Sequence, residues 1–288
     1  MGVRLPLLRI VRPVLAPTAA ADVLAGAAFA GGADPGRLAW ATAASVCIYA
    51  GGMAQNDLCD RDRDASLQPD RPLVVDPDLV SPARLLVAAL FLLGLLGGSM
   101  AGVFWPALGI IGVASAYNLG LKRFFPFDAL SLGAARGANL SLGLLIAAPA
   151  FDTANLVYPA AYGLFIAAVT AASRAEDLEP VQTRRLVHLL TYLPQIVAFI
   201  GLSMVAATGL RVLIFALPCV LQGIALIFAM RAGTRAAAKR YTFHSLLMIY
   251  VVHACTLWAH GDERSLIAIL CCAAATFFLL AALARARP

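Results

Sequence analysis

The strongest constraint on this chain is a series of ten apolar runs, at roughly 13–32, 38–56, 83–103, 104–121, 129–150, 156–173, 186–208, 211–230, 242–260 and 265–284. A helix of about 20 residues crosses a bilayer core about 30 Å thick. Only helices and closed barrels satisfy their backbone in hydrocarbon, and the runs lack the alternation of a barrel strand. The sequence therefore predicts an all-α, polytopic membrane bundle of nine or ten transmembrane helices, forming a single domain over 1–288. Composition agrees: 61% of residues are hydrophobic and 13% charged, against about 25% charged in a soluble domain. A soluble globule, a disordered chain and a disulfide-stapled miniprotein are excluded. Arg4, Arg9 and Arg12 precede the first run in the manner of a signal peptide. That run continues past Gly26 among many similar ones and is read as a retained span.

The sparse charges are informative. With ten spans and the N-terminus inside, 18 of the 22 Lys and Arg residues fall on one side, Arg37, Arg211 and Arg264 on the other, and Arg136 within a span. The positive-inside rule assigns the rich side to the cytoplasm, as expected of a protein of the bacterial inner membrane. It also accounts for the net charge of +6 without a nucleic-acid partner. The six Cys sit mostly in apolar stretches without metal-ligand spacing and read as packing residues. His188, His244, His253 and His260 likewise lack a shared metal spacing and read as interfacial or packing residues. Gly94, Gly97 and Gly98 are expected to let helices approach closely. The basic cluster from Arg231 to Arg240 reads as an anchor near anionic headgroups.

Acidic residues concentrate in two places on the predicted inner side. Seven lie between Asp57 and Asp78, and Glu176, Asp177 and Glu179 follow the sixth span. The four-span separation hints at two four-helix halves. In Asn56-Asp57-Leu58-Cys59-Asp60-Arg61-Asp62-Arg63-Asp64 the residues Asn56/Asp57, Asp60 and Asp64 share one face of a continuing helix. Asp62 points away and reads as a salt-bridge partner. Carboxylates crowded on one face repel, and a hard divalent cation such as Mg²⁺ relieves that cost while leaving positions for phosphate oxygens. Arg61, Arg63 and Arg71 are suited to phosphate recognition. Within the bundle, Arg136 and Asn139 lie one turn apart, and an intramembrane Arg faces a cavity or a partner. Asp22, in the first span, needs a partner too; Arg136 is one candidate, which the sequence alone leaves open.

Asn56-Asp57-x-x-Asp60-x-x-x-Asp64 followed by Asp70-Arg71-Pro72-Leu73 resembles the first motif of the UbiA superfamily of intramembrane prenyltransferases at every fixed position. Tyr117-Asn118-Leu119-Gly120-Leu121-Lys122-Arg123 is similar to that family's Tyr-Ser-x-x-Leu-Lys segment, with Asn118 in the Ser place. Arg12-Pro13 resembles an Arg-Pro that members often carry before the first span. The resemblance implies a bundle with a cavity open to lipid, in which Mg²⁺ holds an isoprenyl diphosphate for transfer to a hydrophobic, commonly aromatic, acceptor. It implies Asn56, Asp57, Asp60 and Asp64 as metal ligands, with Glu176 and Asp177 opposite. Lys122, with Asp60 and Asp64, would serve the chemistry. Arg71, Tyr117, Arg136, Asn139 and Arg174 would contact substrate.

The second motif departs from the family pattern. In Ser173-Arg174-Ala175-Glu176-Asp177-Leu178-Glu179-Pro180 only Asp177 keeps its place, and the outer places fall on Arg174 and Val181. Arg174 could replace a cation by touching diphosphate directly. The thin second motif is similar to that of an EboC-like bacterial branch. It also keeps open a non-catalytic prenyl-lipid-binding or transport role on the same fold. A CDP-alcohol phosphotransferase would need an Asp-Gly that Asp60-Arg61 does not supply.

Overall fold

The structure, a computed structural model, describes residues 6–148, 153–176, 178, 181–205 and 209–285. Among them there are ten helices of 14 to 26 residues and no strand. They are α1 (Ala16–Phe29), α2 (Pro35–Cys59), α3 (Val80–Ala101), α4 (Phe104–Leu119), α5 (Phe127–Ala147), α6 (Val157–Ser173), α7 (Val181–Ser203), α8 (Ala216–Ala232), α9 (Arg235–His260) and α10 (Leu266–Arg285). Each apolar run contributes one helix. Pro77–Ala101, Phe127–Ala147, Val181–Ser203, Arg211–Ala232 and Arg235–His260 are long and apolar enough to cross a membrane. Pro13–Phe29, Phe104–Leu119 and Leu266–Ala282 are shorter apolar helices. Of the other two, α2 ends in the acidic motif, and α6 is short and almost wholly buried inside the bundle. The chain is a polytopic helical membrane bundle.

Local chemistry sets the breaks. The third and fourth runs abut, and Gly102, at φ 80°, ends α3 in the left-handed conformation that side chains resist. Gly233 (φ 63°) ends α8, and Thr234 immediately caps α9 by accepting from the Ala237 N–H at 3.1 Å.

Consecutive helices pack on one another around a ring, and α10 closes it against α1. Across the ring, α1 also packs on α5 and α9. Small residues permit these approaches. A Cβ on Gly26 would overlap the Leu140 carbonyl, and one on Gly143 would overlap the Val23 carbonyl, so α1 and α5 cross backbone to backbone. Gly133 and Gly163 do the same for α5 and α6. Gly94 and Gly97 face Ile48, Trp40 and Ala44 of α2, and Gly98 faces Ala107 of α4, as expected from the third run. Outward surfaces are apolar: Leu92, Leu93 and Leu96 on α3, Leu190 and Leu193 on α7, and Phe277 and Phe278 on α10 are exposed. In a membrane protein such surfaces meet lipid.

Ion pairs distinguish the two ends. Arg12, Asp57, Asp60, Lys122, Asp128 and Arg174 meet at one end. At the other, Arg37 Nε donates to the Ala101 carbonyl and Arg211 lies near Glu263. Arg37 and Arg211 are two of the three cations that sequence analysis put on the sparse side.

Candidate active site

The helical register of α2 runs on through the acidic motif. The Asp60 N–H donates to the Asn56 carbonyl at 2.9 Å, and the Asp64 N–H to the Asp60 carbonyl at 2.8 Å. A short helix, Arg61–Leu67, carries Asp64 onward. Asp57 and Asp64 are buried and Asp62 is exposed, which is the facing that the spacing predicts.

Each buried acid of this face is held by a cation. Asp57 Oδ1 accepts from Arg12 Nη2 and from Arg71 Nη1, both at 2.8 Å. Arg71 Nε lies 3.8 Å from Asp64 Oδ2 and donates to Gln68 Oε1 at 3.1 Å. Lys122 Nζ is 2.7 Å from Asp60 Oδ1. Arg12 sits at φ 48°, ψ 60°, a left-handed conformation strained for a residue with a side chain. Its carbonyl accepts from the Tyr49 hydroxyl at 3.3 Å. Burial lifts the Asp64 carboxyl above the ordinary carboxylate range; Arg71 pulls it back, and Asp60 and Asp57 add to the rise.

Asn56 is fixed from behind. Its amide N–H donates to Asn118 Oδ1 at 3.1 Å, and Asn118 Nδ2 donates to the Gly52 carbonyl and to Gln55 Oε1, both at 3.0 Å. Gln55 in turn donates to Ser115 at 3.2 Å. Asn118, read from sequence only as a Ser replacement, is thus the clamp between α2 and α4. Tyr117, its neighbour, is half-buried near the end of α4.

On the second half, Arg174 Nε donates to Asp128 Oδ2 at 2.6 Å, and its guanidinium lies over the Phe125 ring, 5.4 Å from the centroid. Glu176 ends the single turn Arg174–Glu176. Arg184 Nε and Nη2 hold this segment through the Ala175 and Leu178 carbonyls at 3.0 and 2.8 Å. Asp177 lies outside the described residues.

Among the described residues, no three Asp, Glu, His or Cys side chains stand close enough to hold a metal ion by themselves. Instead the carboxylates are turned to cations: Arg12 and Arg71 hold Asp57, Arg71 also approaches Asp64, and Lys122 holds Asp60. The donor chemistry nevertheless fits a hard divalent cation: the shared face offers carboxylate and amide oxygens only.

A second polar cluster lies inside the bundle. Asp22 Oδ1 accepts from Arg136 Nη2 at 3.0 Å and from the Tyr162 hydroxyl at 2.7 Å, and lies 3.0 Å from His253 Nε2. Asp22 Oδ2 accepts from Asn139 at 2.9 Å. The Tyr158 hydroxyl bonds His253 Nδ1 at 2.7 Å. Arg136 is thereby the partner of Asp22, and Asn139 is engaged by Asp22 and by the Ala19 carbonyl. His253, expected as an interfacial or packing residue, is instead a fully buried member of a hydrogen-bonded network. Its partner is 231 residues away, which local spacing does not disclose.

The model of the UbiA prenyltransferase family matches residues 14–247. The chain belongs to the UbiA prenyltransferase family. No curated protein matches it in sequence. Solved structures share the fold at low identity. A structure of digeranylgeranylglyceryl phosphate synthase superposes with a TM-score of 0.65 and 15% identity, covering 90% of this chain and 97% of that one. A UbiA homologue from Aeropyrum pernix K1 gives 0.66 and 20%, covering 84% and 97%. A UbiA homologue from Archaeoglobus fulgidus, bound to DMAPP and Mg²⁺, gives 0.59 and 17%, covering 86% and 99%. This UbiA chain therefore shares the helical bundle of these proteins over nearly its whole length.

Proposed function

We propose that this UbiA-family protein transfers an isoprenyl group from a polyprenyl diphosphate to a lipid-soluble, aromatic-type acceptor within the membrane. The observation that carries this reading is the rim where Asp57, Asp60 and Asp64 keep helical register and meet Arg12, Arg71 and Lys122. Such a rim offers oxygen ligands to Mg²⁺ and cations to a diphosphate side by side. The A. fulgidus homologue was solved with both Mg²⁺ and DMAPP. Asn56, Asp57, Asp60 and Asp64 would hold the ion, with Glu176 and Asp177 supplying acid from the second half. Mg²⁺ so held stabilises charge on the departing diphosphate.

The chain's own residues supply the remainder. Lys122 and Arg71 bind and orient the diphosphate, and Tyr117 contacts the substrate. The apolar bundle houses the prenyl tail and keeps water from the allylic cation. The whole chain serves as one domain, with the N-terminus and motif loops on the cytoplasmic face of a bacterial inner membrane. Asp60→Asn is expected to abolish Mg²⁺-dependent transfer of a labelled prenyl group by purified protein. Undiminished transfer by the folded variant would refute the assignment. A second reading, prenyl-lipid binding or transport without transfer, is favoured by Arg174 standing in an acidic place of the second motif. Saturable binding of prenyl diphosphates, with no diphosphate release under any acceptor, would support it.

A further inference from the structure

Two reciprocal contacts relate the halves of the bundle. Gly26 abuts the carbonyl of Leu140, three residues before Gly143, and Gly143 abuts that of Val23, three residues before Gly26. Asp22 and Asn139, four residues before each glycine, are bonded to each other and separated by 117 positions. The same displacement sets Asp57 against Arg174, Asp60 against Asp177 and Asp64 against Val181. In the first half, Arg12 pairs with Asp57 across 45 positions; in the second, Asp128 pairs with Arg174 across 46. The second half therefore carries the first half's ion pair with its signs exchanged.

We propose that Arg174 replaces a bound cation on the second half of the site, and that Asp128 and Phe125 aim its guanidinium at the substrate diphosphate. This rests on the diphosphate reading above. Asp128 takes the Nε edge and Phe125 the face, and the guanidinium retains further N–H groups at Nη1 and Nη2 for phosphate oxygens. Arg174 is more than one-third exposed, so it is accessible to a ligand, whereas Asp128 is buried. The second oxygen of Asp128, Oδ1, is buried with no hydrogen-bond partner among the described residues. Asp128 is a positioning residue that acts through Arg174.

The sign of one effect tests this. Removing the Asp128 charge makes the site more positive, which by itself would tighten anion binding. Loss of aim would weaken it. Binding of inorganic pyrophosphate to purified full-length protein, with Mg²⁺ and separately with EDTA, is to be measured by titration calorimetry. Asp128→Asn is expected to weaken binding about tenfold in EDTA, equivalent to about 1.4 kcal/mol. Asp128→Glu is expected to restore much of it, and Arg174→Lys to fail to substitute because it lacks the planar fork. Phe125→Leu, at an exposed position, is expected to weaken binding two- to threefold, on the order of one cation–π contact at a surface. Binding left unchanged or tightened by Asp128→Asn and by Phe125→Leu overturns the inference while the diphosphate reading stands. Wild-type protein that binds no pyrophosphate with or without Mg²⁺ overturns both.

Discussion

Among the described residues Asp22 is the one acid with no exposed surface, and its replacement tests how the interior is held. Its two oxygens take Arg136, Tyr162, His253 and Asn139 from α5, α6 and α9, at 2.7 to 3.0 Å, and it has no exposed surface. Asp22→Asn keeps the shape but removes the charge opposite the Arg136 guanidinium and presents an amide N–H where donors converge. Breaking one side of a buried ion pair costs about 3–5 kcal/mol, most of it the penalty of the charge left behind. At about 2–4 °C per kcal/mol for a chain of this size class, the melting temperature should fall by about 6–20 °C. Replacing both members, as Asp22→Leu with Arg136→Met, removes the stranded charge and should recover much of the loss. Thermal unfolding of the wild type, Asp22→Asn, Asp22→Leu, Arg136→Met and the double variant in one detergent, followed by near-ultraviolet circular dichroism, gives the comparison. If Asp22→Asn melts with the wild type, or the double variant falls by the sum of the singles, the network is not the electrostatic hub described.

Two further predictions concern acidity and packing. The folded Asp64 carboxyl titrates above its unfolded value, so its protonated form favours the fold at low pH, and that contribution is lost as pH rises through the folded value. Because a metal must displace the proton, Mg²⁺-dependent transfer should decline on acidification at a pH above the ordinary Asp value of about 3.9. In an Asp64→Asn variant that retains measurable transfer, this acid limb should move lower; an unmoved limb would rule Asp64 out as its source. Gly143→Ala should destabilise the bundle by about 1–3 kcal/mol, since the new methyl meets backbone of α1 that cannot swing aside. Gly112→Ala, on the open face of α4, should be neutral or stabilising; equal melting temperatures for the two variants would show that α1 and α5 do not cross as described.

Much of this was legible in the residues because its physics is local. Hydropathy located all ten long helices, and helical spacing placed Asp57, Asp60 and Asp64 on one face. It did less well at ends. α9 begins at Arg235 rather than near 242, because Thr234 caps a helix whose first turns carry Arg235, Lys239 and Arg240. α7 begins at Val181 rather than near 186, with Arg184 and Arg185 inside its first turns. A hydropathy window reads transfer to lipid, whereas a helix start is set by caps. Long-range pairings were not legible. His253 and Tyr158 reach Asp22 only through the packing of α1, α6 and α9, and Asp128 reads as an ordinary first-turn acid until Arg174 is seen against it. Gln195, Gln222 and Ser245 likewise join three helices only in the fold.

The two polar clusters divide the work by how freely their members can change partners. Around Asp22 the carboxylate accepts four donors drawn from three other helices, and His253 is fully buried, so rearrangement would strand charge in a dry interior. Arg136 and Asn139, expected to meet substrate, are committed to this frame. At the rim the arginines that hold Asp57 keep solvent-accessible surface, Arg12 36% and Arg71 25%, whereas the Lys122 ammonium is buried against Asp60. Arg12 and Arg71 can pass from carboxylate to phosphate at less desolvation cost than any member of the Asp22 cluster, and Asn56, Asp57, Asp60 and Asp64 would then be free to hold Mg²⁺. On the proposed reading, substrate binding is therefore an exchange of partners within a nearly neutral cluster, in which Arg174 enters with Asp128 still attached. The buried frame keeps α1, α5, α6 and α9 fixed while that exchange takes place.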